Sequence, residues 1–122
     1  MIDPAVLQHA IATHAKWKFR LRQAIDSGQS EWTVATVRPD TLCEFGQWIH
    51  GLPLPDRFSK EYKDVKALHE QFHAAAAEVL ERALAGKRAE AEAMMAPGGP
   101  FASVSAKLVK LLTEWQKSSS KS

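Results

Sequence analysis

Cysteine is nearly absent from this chain of 122 residues: Cys43 stands alone, so no disulfide can form within it. Long apolar runs are missing too. No stretch approaches the roughly 20 residues that cross a bilayer, which argues against membrane insertion, and the opening MIDPAVLQHA lacks the charged start and apolar centre of a signal peptide. Excess charge of one sign is also lacking. The 16 Lys and Arg are interleaved with 14 Asp and Glu and leave a formal charge of +2. No basic stripe awaits a phosphate backbone, so nucleic acid is not an expected partner. A cytoplasmic protein is the expectation.

What remains is an ordinary globular balance, 45% hydrophobic and 25% charged. The length suits one core. Residues 1–117 read as a single domain, and the Ser/Lys-rich residues 118–122 as a frayed tail. Along residues 4–25, Leu7, Ile11, His14, Trp17, Leu21 and Ala24 recur at steps of three and four, the period of an amphipathic helix. Asp3 is placed to cap it and Gly28 to stop it. Residues 29–39 are mixed and read as a connector. A second helix is expected to open at Pro39-Asp40-Thr41, with Thr41 and Glu44 at capping-box spacing and Cys43 in its first turn. Gly51, Pro53 and Pro55 keep that helix short. A long helix over 59–84, a short one over 87–95 and a last one from 101 to about 115 follow. The fold class is all-α, an antiparallel up-and-down four-helix bundle with an additional short helix.

The five histidines decide whether the lone cysteine is more than a small hydrophobe. His69 and His73 stand four apart on one helix, so both imidazoles face one side and reach one ion. His14 lies on the inward stripe of the first helix, where burial demands a hydrogen-bond or metal partner. Cys43, near the positive end of a helix, is placed to favour the thiolate that zinc binds. Three imidazoles and a thiolate fill a tetrahedral site and suit Zn2+ better than the oxygen-preferring magnesium or calcium. That shell carries a net +1, so a carboxylate or carbonyl should orient one histidine; Glu44 and Glu70 are within sequence reach. Phe45 and Trp48 would wall the site, and Gly46, costly inside a helix, suggests a close approach beside it.

Taken together, His14-x-x-Trp17, Cys43-x-Phe45-Gly46-x-Trp48 and His69-x-x-x-His73 resemble, in order and spacing, the bacterial chemoreceptor zinc-binding domain family. The stretches WKFRLRQAI and AEAMMAPGGPF extend the likeness over essentially the whole chain. The resemblance implies a helical bundle that binds zinc through His14, Cys43, His69 and His73, with Trp17, Phe45, Gly46 and Trp48 lining the site. It also implies a regulatory module of bacterial signalling and chemotaxis rather than an enzyme, responsive to zinc or to oxidation of Cys43, for example by hypochlorous acid. Family members are commonly fused to chemoreceptors or diguanylate cyclases, and homodimers are usual among cyclase-linked ones. This sequence has no room for such an output domain, so a signalling partner in trans is expected, or a longer parent chain.

Two other readings compete. His69-Glu70-Gln71-Phe72-His73 spells H-E-x-x-H, the zinc-hydrolase motif, with Glu70 as base and Glu92 as a possible third ligand. It lacks a strand to lay out a peptide, and His14 with Cys43 would close the open position such chemistry needs. A di-iron bundle would need a second Glu-x-x-His, which is missing. The plainest alternative is a metal-free helical dimerisation or interaction module.

Overall fold

The computed structural model describes residues 2–120, and among them there is no strand. Six α-helices follow in order: α1 (Pro4–Ser27), α2 (Val34–Val37), α3 (Glu44–His50), α4 (Lys60–Leu84), α5 (Arg88–Met95) and α6 (Pro100–Ser120). A 3-10 turn, Leu54–Phe58, leads from α3 into α4.

Local chemistry sets the ends. The Asp3 carboxylate accepts from Ala5 N–H at the start of α1, and Gly28 closes that helix in the left-handed region at φ 73°. Ser59 caps α4 through Tyr62 N–H. Three features differ from the sequence reading. Within the supposed connector, Thr33 and Thr36 cap each other's backbone and fold the β-branched run 34–37 into one helical turn. And α3 starts at Glu44, later than expected: Cys43 itself is the N-cap, its sulfur accepting from Gly46 N–H at 3.3 Å. Thr41 has no part in that cap. At the other end, α6 continues as far as Ser120, through residues assigned to the tail; Lys121 and Ser122 lie outside the described residues.

The three long helices α1, α4 and α6 pack on one another, and α5 braces their upper end. There Arg88 pairs with Asp26 at 3.2 Å and Arg22 with Glu92 at 3.3 Å. At the opposite end the Gln116 side chain of α6 reaches Pro4 O of α1, and Trp48 of α3 meets Trp115 of α6 with ring centroids 6.0 Å apart. The path is therefore up through α1, down through the crossover carrying α2 and α3, up through α4 and down through α6. This is the all-α bundle anticipated. Leu7, Leu21, Val65, Phe72, Phe101, Leu108 and Leu112 form its sealed centre, each at most 1% exposed. Truncating a residue such as Phe72 to alanine would cost about 3–5 kcal/mol in a core of this kind. Against that, the exposed ion pairs at the upper end contribute about 1 kcal/mol or less each. Packing holds the frame rigid, and the metal-site candidates hang on it.

Candidate metal centre

Three buried histidines are the anomaly of this core. His14 on α1 is 3% exposed, and His69 and His73 on α4 are 0% and 4% exposed. They meet near mid-bundle, joined from the crossover by the half-buried Cys43. His69 Nε2 lies 3.1 Å from His14 Nε2 and 3.1 Å from His73 Nε2. Cys43 Sγ lies 3.3 Å from His69 Nε2 and 3.5 Å from His73 Nε2. One donor atom from each of the four residues falls within 4.8 Å of the other three. Metal–nitrogen bonds of about 2.0–2.1 Å and metal–sulfur bonds of about 2.3 Å in a tetrahedron put donors roughly 3.3–3.7 Å apart, close to these separations.

Hydrogen bonding fixes which atoms point inward. His14 Nδ1–H donates to Ala10 O at 2.7 Å, and His73 Nδ1–H donates to Val37 O at 2.8 Å. Each imidazole has therefore spent its one proton, and its Nε2 presents a lone pair to the centre. Burial holds all three rings neutral. It pushes His14 down to about 4, against the help of the Ala10 carbonyl, and lowers His69 and His73 as well. At most two protons, one on His69 and one on sulfur, are left to separate four donor atoms. Converging lone pairs at these distances call for a cation. One further orphan supports this: His69 Nδ1 is buried without a hydrogen-bond partner, so its proton has no settled place at either nitrogen. The donor set, nitrogen with sulfur, suits zinc.

Cys43 behaves differently from the sequence expectation. Its cap position does bring the N–H groups of Gly46 and Phe45 to bear, but burial outweighs them, with help from Asp40, and pushes the thiol up. The helix end alone does not make the thiolate. A bound cation would.

The Phe45 ring stands edge-on to His14 at 5.9 Å and to His69 at 5.0 Å, with Trp48 behind it at 5.6 Å. Phe72, which the sequence reading did not assign to the site, also packs against it, 5.1 Å from His14. Trp17 packs on Trp32 at 5.2 Å, and both rings lie under the Arg20 guanidinium. These three line a groove of about 750 Å3 whose wall includes His14 and Cys43. Gly46 owes its identity to a close approach, of backbone rather than of a second helix: a Cβ there would overlap the Asp40 carbonyl oxygen.

Neither glutamate expected behind the histidines is there. Glu44 pairs with His9 at 3.3 Å, and Glu70 turns outward to Lys66 at 2.8 Å. Glu92 pairs with Arg22 and Arg88. The base and third ligand of an H-E-x-x-H hydrolase are thus both away from the cluster. The carboxylate at hand is Asp40, whose Oδ2 stands 3.8 Å from His69 Nδ1 and 3.0 Å from His50 Nε2. In the sequence Asp40 stands only in the expected helix start Pro39-Asp40-Thr41, and Val37 in a mixed connector; neither position signals a partner for a histidine ring.

A family model described as the chemoreceptor zinc-binding domain matches residues 14–80, just over half of the chain and a span that opens on His14 and contains all four donors. No curated protein and no solved structure matches the chain.

Proposed function

This chain belongs to the chemoreceptor zinc-binding domain family, and from that premise we propose that it is a zinc-binding regulatory module whose ligands are His14, Cys43, His69 and His73. The observation that carries the reading is the convergence of four donor atoms within 4.8 Å, two of them held as lone pairs by backbone carbonyls. Zinc in such a site supplies a crosslink and holds the sulfur as thiolate. The chain's own residues do the rest. Ala10 and Val37 aim the imidazoles, Phe45 and Phe72 keep the centre dry, and Gly46 N–H steadies the sulfur. Four protein ligands leave no open position for a substrate water, which favours a non-catalytic role.

The output follows from where the ligands sit. His14 is on α1, Cys43 caps α3, and His69 and His73 are on α4. Cys43 is the one ligand outside the long helices and the one that an oxidant attacks. With hypochlorous acid as oxidant, the thiolate sulfur takes the oxygen to give sulfenic acid and chloride leaves. The sulfur then no longer serves as a thiolate donor, and α3 loses its tie to α4. The signal passes to a protein partner, in a homodimer of this domain or in a chemoreceptor or diguanylate cyclase pathway, as membership of the family suggests. Among the described residues no helix is long and apolar enough to cross a membrane.

Titrating the zinc-loaded protein with hypochlorous acid, with a zinc-sensitive dye present, tests the redox reading. One zinc released for each sulfenic acid trapped on Cys43 is the expected result. Full oxidation of Cys43 with zinc retained would leave a structural site and no switch.

A further inference from the structure

We infer that Asp40 is the positioning carboxylate of the zinc site and that His50 locks it in place, so that the last turn of α3 is wired to the ligand His69. This deepens the zinc reading and rests on it.

Gly46 sets the path of the chain before Cys43. Because that residue has no Cβ, the backbone at Asp40 lies flat on α3, its carbonyl oxygen occupying the space a side chain would take. The turn before Cys43 therefore folds back along the helix that Cys43 caps. In that position the Asp40 carboxylate sits between α3 and α4, with its side chain only 17% exposed. On one side, at 3.0 Å, is Nε2 of His50, the last residue of α3. On the other, at 3.8 Å, is Nδ1 of His69, the fully buried ring nitrogen that has no hydrogen-bond partner.

His69 alone among the three histidines lacks a carbonyl to fix its tautomer. Its Nε2 can join the other donors only if its proton moves to Nδ1, where the Asp40 carboxylate stands 3.8 Å away. Closing that 3.8 Å separation to about 3 Å would make it a hydrogen bond. The carboxylate would then make the imidazole a better donor and offset the +1 of a zinc shell with three neutral histidines and one thiolate. His50, held in turn through its carbonyl by Arg57 Nη2 at 2.6 Å, keeps the carboxylate from swinging to solvent. Asp40 thus touches both ends of α3: the Cys43 turn through its backbone and the His50 turn through its side chain.

The test compares zinc affinity of the whole chain for wild type, Asp40→Asn, His50→Gln and, as a control away from the cluster, Glu70→Gln, by competition with a chelator of known affinity. Melting of each metal-free protein and long-range 1H–15N spectra of the imidazoles accompany it. Asp40→Asn keeps the shape and the backbone turn but removes the charge. The expected loss for it is about 10–100-fold, the range seen when such outer partners are removed. His50→Gln should lose less and Glu70→Gln nothing, with the metal-free melting temperature of Asp40→Asn unchanged. In zinc-loaded wild type the His69 Nδ1–H should be slow to exchange, and that protection should go in Asp40→Asn. Unchanged affinity in Asp40→Asn would overturn the assignment and leave the zinc reading intact. So would an affinity that falls only in step with metal-free stability. Failure of wild type to take up zinc would instead remove the reading on which the inference stands.

Discussion

Two carbonyl oxygens, Ala10 O and Val37 O, determine what His14 and His73 can do, because a ring that donates through Nδ1 has only a lone pair left at Nε2. The sequence exposed the residue types and their spacing, which sufficed to single out four donors. It did not expose the partners that aim them. Ala10 was within reach of inference, since a carbonyl four residues back on a helix lies beside the ring. Asp40 was not distinguishable from Glu44 or Glu70 without knowing that Gly46 lets the chain fold back on α3. The burial of these rings has a measurable cost on acidification. For His14, whose value falls from 6.5 to about 4, the unfolded chain binds the proton more readily, so stability is intact above pH 6.5 and is lost as the pH falls toward 4. His69 and His73 shift the same way. The metal-free protein should therefore hold a steady melting temperature above neutrality and lose stability steadily between about pH 6.5 and 4, with His14 alone contributing up to about 3 kcal/mol. Melts across that range check it. A profile that is flat down to pH 4 would mean that the rings are solvated and the site open.

At the scale of elements, α3 is the segment that zinc would govern. With seven residues it is far too short to persist alone in water. Phe45 and Ile49 anchor one face, and Arg57 holds its C-terminal end: Nη2 donates to His50 O at 2.6 Å, and Nε to Leu52 O, just past the helix, at 2.7 Å. Its first turn depends on the sulfur of Cys43. Reading Thr41 as the cap put this start too early, because Thr41 and Glu44 have capping-box spacing and a cysteine cap has no comparable signature. The short α2 escaped for a related reason: Thr36 replaces the Glu or Gln of the usual box. Hydrogen exchange should register the dependence. Residues 43–50 should lose protection when zinc is chelated or Cys43 is oxidised, while the centres of α1, α4 and α6 keep theirs. Equal protection of that segment in loaded and oxidised protein would rule it out as the moving part.

Over the whole molecule, the bundle was legible because its long helices repeat apolar residues at steps of three and four, and glycine and proline mark most of their ends. The packed centre formed by Leu7, Leu21, Phe72 and Leu108 is closed by apolar side chains. Zinc would act on this frame as a single clasp joining α1, α3 and α4 at one level, one ion held from three elements. Native mass spectrometry of the wild-type chain beside Cys43→Ala and His14→Ala addresses that claim most directly. One zinc per wild-type chain, with binding weakened in both variants, is the expected result. Zinc absent from the wild type even when supplied in excess would reduce the four residues to core positions. Zinc held as firmly by both variants would contradict the three-element clasp and return the site to His69 and His73 alone.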